Sequence, residues 1–243
     1  MKSSIVIYLG KGGQRDMAES FSRRNNVPIA DNPGDELTLI FDAKGVSLSG
    51  FGLSYRGDFE TMLRRVTKGR LAHEMLVRAA KSDKQNLRAV DATAGMGEDS
   101  FLLAAYGYEV TLYEQNPVIA ALLKDALRRA KKNPVLKEIA GRMHLIQGDS
   151  VDFLAKQLDS PDIVYLDPMF PERQKSGLIN KKLQLIQKLE PPCSAETDLF
   201  DAAIKSGPAK IIVKRPLKSP HLAEREPSYT LKGKAIRYDC YVL

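Results

Sequence analysis

Hydrophobic and polar positions change their period along the chain, and the change divides it. Over residues 1–60 the pattern is that of a small α/β unit. Ile5–Leu9 is an apolar run of strand length, Gly10, Gly12 and Gly13 break it, and Arg15–Asn25 fits a short helix. Asn32-Pro33-Gly34-Asp35 is a turn signal, after which Leu37–Phe41 and Val46–Phe51 alternate well enough to pair as a hairpin. Within residues 61–81, Leu71, Met75, Leu76 and Ala79 recur at helical spacing and predict an amphipathic helix. From Leu87 onward, strands and helices alternate. Leu87–Ala92, Glu109–Glu114, Met143–Ile146, Ile163–Leu166 and Lys210–Val213 read as strands. Asp99–Tyr106, Pro117–Lys132, Val151–Gln157 and Ala195–Lys205 read as the helices between them. Pro117 suits a first helical turn with Asn116 as its N-cap. Such alternation implies a parallel sheet covered by helices on both faces. Tyr229–Lys232 and Ala235–Leu243 are joined through Gly233 by a link too short for a parallel crossover, so the last strand is expected to run antiparallel. The expected organisation is a small N-terminal α/β unit over residues 1–60 and a mostly parallel α/β domain over residues 61–243.

Composition narrows this only a little. The chain has 243 residues, 43% of them hydrophobic, enough for a substantial core. A net charge of +7 favours a polyanionic partner such as nucleic acid, although ordinary solubility charge gives the same surplus. The 2 cysteines, Cys193 and Cys240, are far apart, and His73, His144 and His221 show no metal-ligand spacing, so no metal is expected. The first apolar run is too short for a signal peptide and no stretch has the length of a membrane span. The expectation is a soluble cytoplasmic protein.

Candidate chemistry sits at the strand ends. Asp91-Ala92-Thr93-Ala94-Gly95-Met96-Gly97-Glu98-Asp99 follows the first strand of the alternating region and opens a helix. Gly95 and Gly97 allow a sharp turn and a close approach to a ligand, as in a dinucleotide fingerprint. The third glycine of that fingerprint is replaced by Ser100, and Glu98 and Asp99 stand where a pyrophosphate would rest on the helix N-terminus. Two carboxylates there repel a diphosphate and suit a cation. S-adenosylmethionine carries a sulfonium and an ammonium and no phosphate. Glu114 ends the second strand, where an acidic residue commonly accepts both ribose hydroxyls, and Gln115 follows, placed to contact the adenosine. After the third strand, Asp149 can accept from an adenine amine, with Ser150 beside it. Singly, these glycines turn a chain and these acids cap helices. Together, at successive strand ends on one edge of a sheet, they indicate a nucleoside-type site.

Asp167-Pro168-Met169-Phe170-Pro171 follows the apolar run Ile163–Leu166. The strand delivers Asp167 to the same edge. An aryl amine is a poor nucleophile because its lone pair is delocalised into the ring. Accepting its two N–H groups at the Asp167 carboxylate and the Pro168 carbonyl draws the nitrogen toward tetrahedral geometry, and its lone pair then points at a methyl for in-line displacement. Phe170 can stack on a base that has left its helix or loop. Asp167, Pro168 and Phe170 are therefore the candidate catalytic residues. The bland alternative is an Asp-Pro turn with Phe170 in the core. Lys214-Arg215-Pro216 after the fifth strand, Arg64, Arg65, Lys68 and Arg70 before the core, and Lys175, Lys181 and Lys182 after the acceptor motif are candidate phosphate contacts. Arg128, Arg129, Lys131 and Lys132 end a helix and complement its dipole.

Five parallel strands closed by a terminal hairpin is the layout of the class I methyltransferase fold. The Asp91–Gly97 loop, Glu114-Gln115-Asn116-Pro117, Tyr165-Leu166-Asp167-Pro168-Met169-Phe170-Pro171 and Val213-Lys214-Arg215-Pro216 together resemble the RsmJ family. Its members are bacterial methyltransferases of 16S ribosomal RNA that act on the N2 amine of one guanosine. The resemblance covers roughly residues 60–243 and, more weakly, the N-terminal unit. It implies S-adenosylmethionine as methyl donor and 16S ribosomal RNA or the small ribosomal subunit as partner. It implies donor contacts at Glu98, Asp99, Glu114, Gln115, Asp149, Ser150 and Asp167, beside the Asp91, Gly95 and Gly97 of the loop. The chain departs from the family pattern at Glu98 and Asp149, where Arg and Ser are common. The residues alone leave other planar amines open as acceptors, adenine N6 or a protein glutamine. A dinucleotide-dependent oxidoreductase is disfavoured by Glu98 and Asp99. A non-catalytic RNA-binding domain is the remaining rival.

Overall fold

The computed structural model describes residues 5–34, 37–67, 69–156, 159–168, 185, 189 and 195–243. The chain forms two sheets. The first holds β1 (Ile5–Leu9), β2 (Ile29–Ala30), β3 (Leu37–Asp42), β4 (Gly45–Gly50) and β5 (Leu53–Tyr55), in the order β2-β1-β3-β4-β5. The predicted hairpin is β3 with β4, paired antiparallel from Thr38↔Ser49 to Asp42↔Gly45. Helix α1 (Arg15–Asn25) links β1 to β2. Ile7, Leu37, Leu39 and Leu48 of this sheet are fully buried.

Their core is completed from outside the N-terminal unit. Val118, Ile119 and Leu122 of α5 (Pro117–Ala130) belong to the same apolar cluster, with Met96. A polar anchor reinforces the contact. Asp125 is 1% exposed, accepts from the Val46 N–H at 3.0 Å, and binds Arg128 at 2.7 Å and Arg129 at 2.8 Å. Arg129 in turn donates to the Gly57 carbonyl. Gly45 is required at the β3–β4 turn, because a Cβ there would lie 2.3 Å from Asp125 Oδ2. Arg128 and Arg129 thus clamp a buried carboxylate rather than simply facing a helix dipole.

The predicted helix over Leu71–Ala79 is broken. Leu71–His73 form a 3-10 turn, Glu74 is extended (φ −63°, ψ 126°), and α3 begins at Met75 and runs to Ala79, after the short α2 (Leu63–Val66). Helical spacing could not register that Glu74 is held by Arg65, at 2.7 and 2.8 Å, nine residues back in the chain.

The second sheet carries β6 (Arg88–Asp91), β7 (Glu109–Glu114), β8 (Met143–Gln147), β9 (Ile163–Leu166), β10 (Lys210–Pro216), β11 (Tyr229–Lys232) and β12 (Ile236–Val242). Its order is β11-β12-β10-β9-β6-β7-β8. The strands from β8 to β10 pair in parallel, and β12 is antiparallel to both β10 and β11, as the short terminal link required. The intervening helices are α4 (Glu98–Tyr106), α5, α6 (Lys137–Gly141), α7 (Ser150–Leu154) and α8 (Glu196–Lys205). Asn116 caps α5 by accepting from Val118 N–H at 2.9 Å and Ile119 N–H at 3.3 Å, with Pro117 in the first turn. The chain winds from β6 outward to β8, then returns to β9 on the other side of β6. That reversal opens a crevice at the carboxyl ends of β6 and β9, where open α/β sheets bind ligands. No helix among the described residues is long and apolar enough to cross a membrane.

Candidate active site

The carboxyl ends of β6, β7 and β9 converge on the loop 92–97. Ala92 N–H donates to the Tyr165 carbonyl at 3.0 Å and Ala94 N–H to the Tyr113 carbonyl at 3.0 Å, so the loop leaves the sheet tied to both neighbours. Gly95 and Gly97 take left-handed φ of +52° and +72°. At Gly97 a Cβ would also lie 2.8 Å from Leu123 Cδ1, so the close packing of α4 on α5 demands glycine there. Glu114, 5% exposed at the end of β7, accepts from the Gly95 N–H at 2.9 Å through Oε2 and from the Asn116 N–H at 2.7 Å through Oε1. Its carboxylate is thereby fixed against the glycine loop. Gln115 beside it is exposed. Across β8, Asp149 is exposed and caps α7 by accepting from Val151 N–H at 2.9 Å, and Ser150 is buried.

Asp167 follows β9, and its N–H donates to Thr93 Oγ1 at 2.6 Å, which ties the end of β9 to the loop 92–97. The β9–β10 register ends at Leu166↔Val213, so the next residues, Asp167 and Lys214, emerge side by side. Lys214 Nζ lies 2.9 Å from Asp167 Oδ2 and 2.7 Å from Asp99 Oδ2. Tyr165 completes the cluster, donating its hydroxyl to Asp99 Oδ2 at 2.7 Å. Burial alone would push the Asp99 carboxyl up. The Lys214 charge and the hydrogen bonds from Lys214 and Tyr165 outweigh it and hold Asp99 below the ordinary carboxylate range. Lys214 shows the converse: burial opposes its charge, but Asp99 and Asp167 raise its affinity for the proton well above that of an ordinary lysine. Beneath the loop, Asp91 is 1% exposed, accepting from Ser100 Oγ at 2.5 Å and Thr93 N–H at 3.1 Å. Burial, against those two hydrogen bonds, moves its pKa up to about 7.

Residues 29–243 match the family model of SAM-dependent methyltransferases. The ribosomal RNA small subunit methyltransferase J of Thioalkalivibrio sulfidiphilus is 38% identical over 98% of this chain and 97% of its own length. That of Pseudomonas aeruginosa (strain LESB58) is 46% identical over 94% of this chain and 91% of its own. The chain belongs to the ribosomal RNA small subunit methyltransferase J family. A crystal structure of a SAM-dependent methyltransferase from Neisseria gonorrhoeae superposes with a TM-score of 0.76 at 29% identity, covering 97% of this chain and 95% of that one. The fold is that of a SAM-dependent methyltransferase, and S-adenosylmethionine is the methyl donor.

In this family member the structure gathers Gly95, Gly97, Asp99, Glu114 and Asp167 around one crevice, with Glu98 opening α4. The Asp91 side chain lies under the loop, bonded to Thr93 and Ser100. Pro168 is buried, while Phe170, Lys175, Lys181, Lys182 and Lys68 lie outside the described residues. Three expectations need correction. Lys214 is no phosphate contact on the surface, because its charge is committed to Asp99 and Asp167. Arg215 is 1% exposed and donates to the Pro220 carbonyl at 2.9 Å and to Glu196 at 3.2 Å, so it braces the loop after β10. Arg65 is likewise committed to Glu74. Thr93 and Tyr165 were not singled out, and Lys214 was expected as a phosphate contact rather than as the partner of Asp167. A signal existed for Lys214, since Asp167 and Lys214 each stand immediately after an apolar strand run, but pairing the two needs the strand order.

Proposed function

We propose that this protein transfers the methyl group of S-adenosylmethionine to the exocyclic N2 amine of a guanosine in 16S ribosomal RNA. The observation that carries the reading is the adjacency of Asp167, locked to Thr93, and the Glu114–Gly95 pair on one rim of one sheet. The ribosomal substrate follows from the name borne by the relatives, and the guanine N2 position from the motif resemblance. Among planar amines, the acceptor geometry itself does not choose.

The residues fit this donor. The crevice presents the Glu114 carboxylate and a glycine loop, suited to ribose hydroxyls, and Glu98 at the start of α4 makes it unsuited to a diphosphate, while Asp99 is paired with Lys214. When bound, S-adenosylmethionine supplies an electrophilic methyl on sulfur. Glu114 accepts the ribose hydroxyls, each of its oxygens already held by a backbone N–H. Gln115, Asp149 and Ser150 border the adenosine. Asp91 acts through the loop it shapes. Asp167 and the Pro168 carbonyl accept the two N–H groups of the base, and Lys214 favours the ionised Asp167 by its charge at 2.9 Å. The nitrogen lone pair is thereby released from the ring and aimed in line. The methylated nitrogen is acidic enough to lose its proton to water, so no strong base is required. Such a reaction belongs in the cytoplasm with the ribosome.

The test is methylation of 16S ribosomal RNA and of small subunits from cells lacking the gene, with nucleosides resolved by mass spectrometry. N2-methylguanosine at one position is expected. N6-methyladenosine instead would move the protein to the adenine reading, and no methylated nucleoside on either substrate would refute the proposal. Asp167→Ala is expected to lower turnover by at least about 10²-fold, the usual effect of losing a polar transition-state contact.

A further inference from the structure

Away from the crevice, a cleft of about 870 Å³ runs between α1, α5 and β8. Its floor is apolar, with Met17, Phe21, Leu127 and Leu145. Its rim is basic. Arg24, Lys124 and Lys131 line it with side chains that take no hydrogen bond or ion pair among the described residues, whereas the fourth cation, Arg128, is spent on Asp125 at 2.7 Å. Asp16 is the one carboxylate among the lining residues. One end of the cleft is formed by Pro117 and Gln147, which adjoin Gln115, Gly148 and Asp149 at the carboxyl rim. Strand β8 is the outer strand of the seven-stranded sheet, so no further strand closes this side.

We infer that this cleft binds the phosphodiester backbone of the ribosomal RNA strand flanking the methylated nucleotide. The inference rests on the proposed reaction for its choice of RNA. Three features point to a long polyanion. The unpaired cations are spread along a groove instead of converging on one point, as a single small anion would require. Lys124 on α5 and Lys131, the C-cap just past its end, stand two helical turns apart, about 10 Å along the helix axis, a separation that a strand crosses with more than one phosphate. The groove also opens onto the rim where the target base must arrive, so a strand leaving the crevice past the adenosine side enters it directly. A flipped target base needs its flanking backbone held, because unstacking costs a few kcal/mol that contacts elsewhere must offset. Phosphate contacts here give affinity and salt dependence without reading sequence.

The test compares the wild-type protein with the triple variant Arg24→Gln, Lys124→Gln, Lys131→Gln. Retention of a 16S ribosomal RNA transcript on filters is measured across a salt series, alongside donor affinity by calorimetry. Because these side chains have no partners among the described residues, the variant is expected to fold and to bind donor as the wild type does. Its RNA affinity is expected to fall at least tenfold at low salt. Its slope of log affinity against log salt is expected to become shallower by about 2, the loss of three single-strand phosphate contacts. In methylation assays KM for RNA rises while kcat at saturating RNA stays within about twofold. Equal affinity and equal slope in the two proteins overturn the inference. So does an acidic peptide whose binding is lost in the triple variant but which leaves RNA retention by the wild type intact. Retention is read without methyl transfer, so a wild-type protein that binds but does not methylate refutes the proposed reaction, while the variant difference still decides the cleft.

Discussion

Lys214→Met removes one ammonium from between two carboxylates. Its Nζ is 2.7 Å from Asp99 Oδ2 and 2.9 Å from Asp167 Oδ2, with the three side chains only 16–30% exposed. At an effective dielectric near 20, each contact is worth about 6 kcal/mol of gross attraction. Desolvation of the three groups offsets most of that, and the net cost of stripping the partner from a buried pair is about 3–5 kcal/mol. Part of the cost falls on stability, because Asp99 loses its main counter-charge and keeps the Tyr165 hydrogen bond and the charge of Arg65. The rest falls on the reaction, because Asp167 loses the charge 2.9 Å from its Oδ2 and is less firmly oriented. Steady-state methyl transfer at pH 7 is expected to fall by about 10²-fold, the scale of one lost polar transition-state contact. Donor affinity is expected to change by less than about tenfold, and Lys214→Arg, which keeps the charge, to recover part of kcat. Turnover within twofold of wild type would show that Lys214 only braces the fold.

Glu114→Gln keeps an acceptor beside Gly95 and loses the charge. Donor affinity measured by calorimetry is expected to weaken about 10- to 10²-fold, as for a lost hydrogen bond to a charged group, and unaltered binding would remove Glu114 from the site. Asp91 has its folded pKa raised to about 7 by burial, so between about pH 4 and 7 the folded state holds a proton that the unfolded state releases. Stability contributed there is present at low pH and declines as pH rises through that window. Asp91→Asn is expected to flatten that decline in denaturant titrations run from pH 4.5 to 7.5, and parallel curves would contradict it. Asp125→Ala strands Arg128, Arg129 and the Val46 N–H. It is expected to cost about 3–5 kcal/mol in urea titrations, and a loss below about 1 kcal/mol would show that apolar contacts alone dock the first sheet on α5.

What the chain disclosed by itself was whatever a local pattern can carry. Every strand of the parallel sheet announced itself as a short apolar run, and the terminal hairpin followed from a link too short to cross over. The loop 92–97 was legible as a turn because its glycines sit between a strand and a helix, and the place of Glu114 because it ends its strand. The break at Glu74 was not legible, since a partner nine residues away overrode helical spacing. Nor could sequence place the N-terminal sheet on α5, because Asp125 reads as one more helix acid until Val46 is brought to it across 79 residues of chain. Lys214 is the clearest case. As sequence it is a basic residue near an active edge, a natural candidate for phosphate. Strand order and register set β10 beside β9 and carry Lys214 to Asp167, 47 residues away. Periodicity is a property of neighbours along the chain, whereas the charge a side chain meets depends on which strands lie side by side, and only the folded sheet decides that.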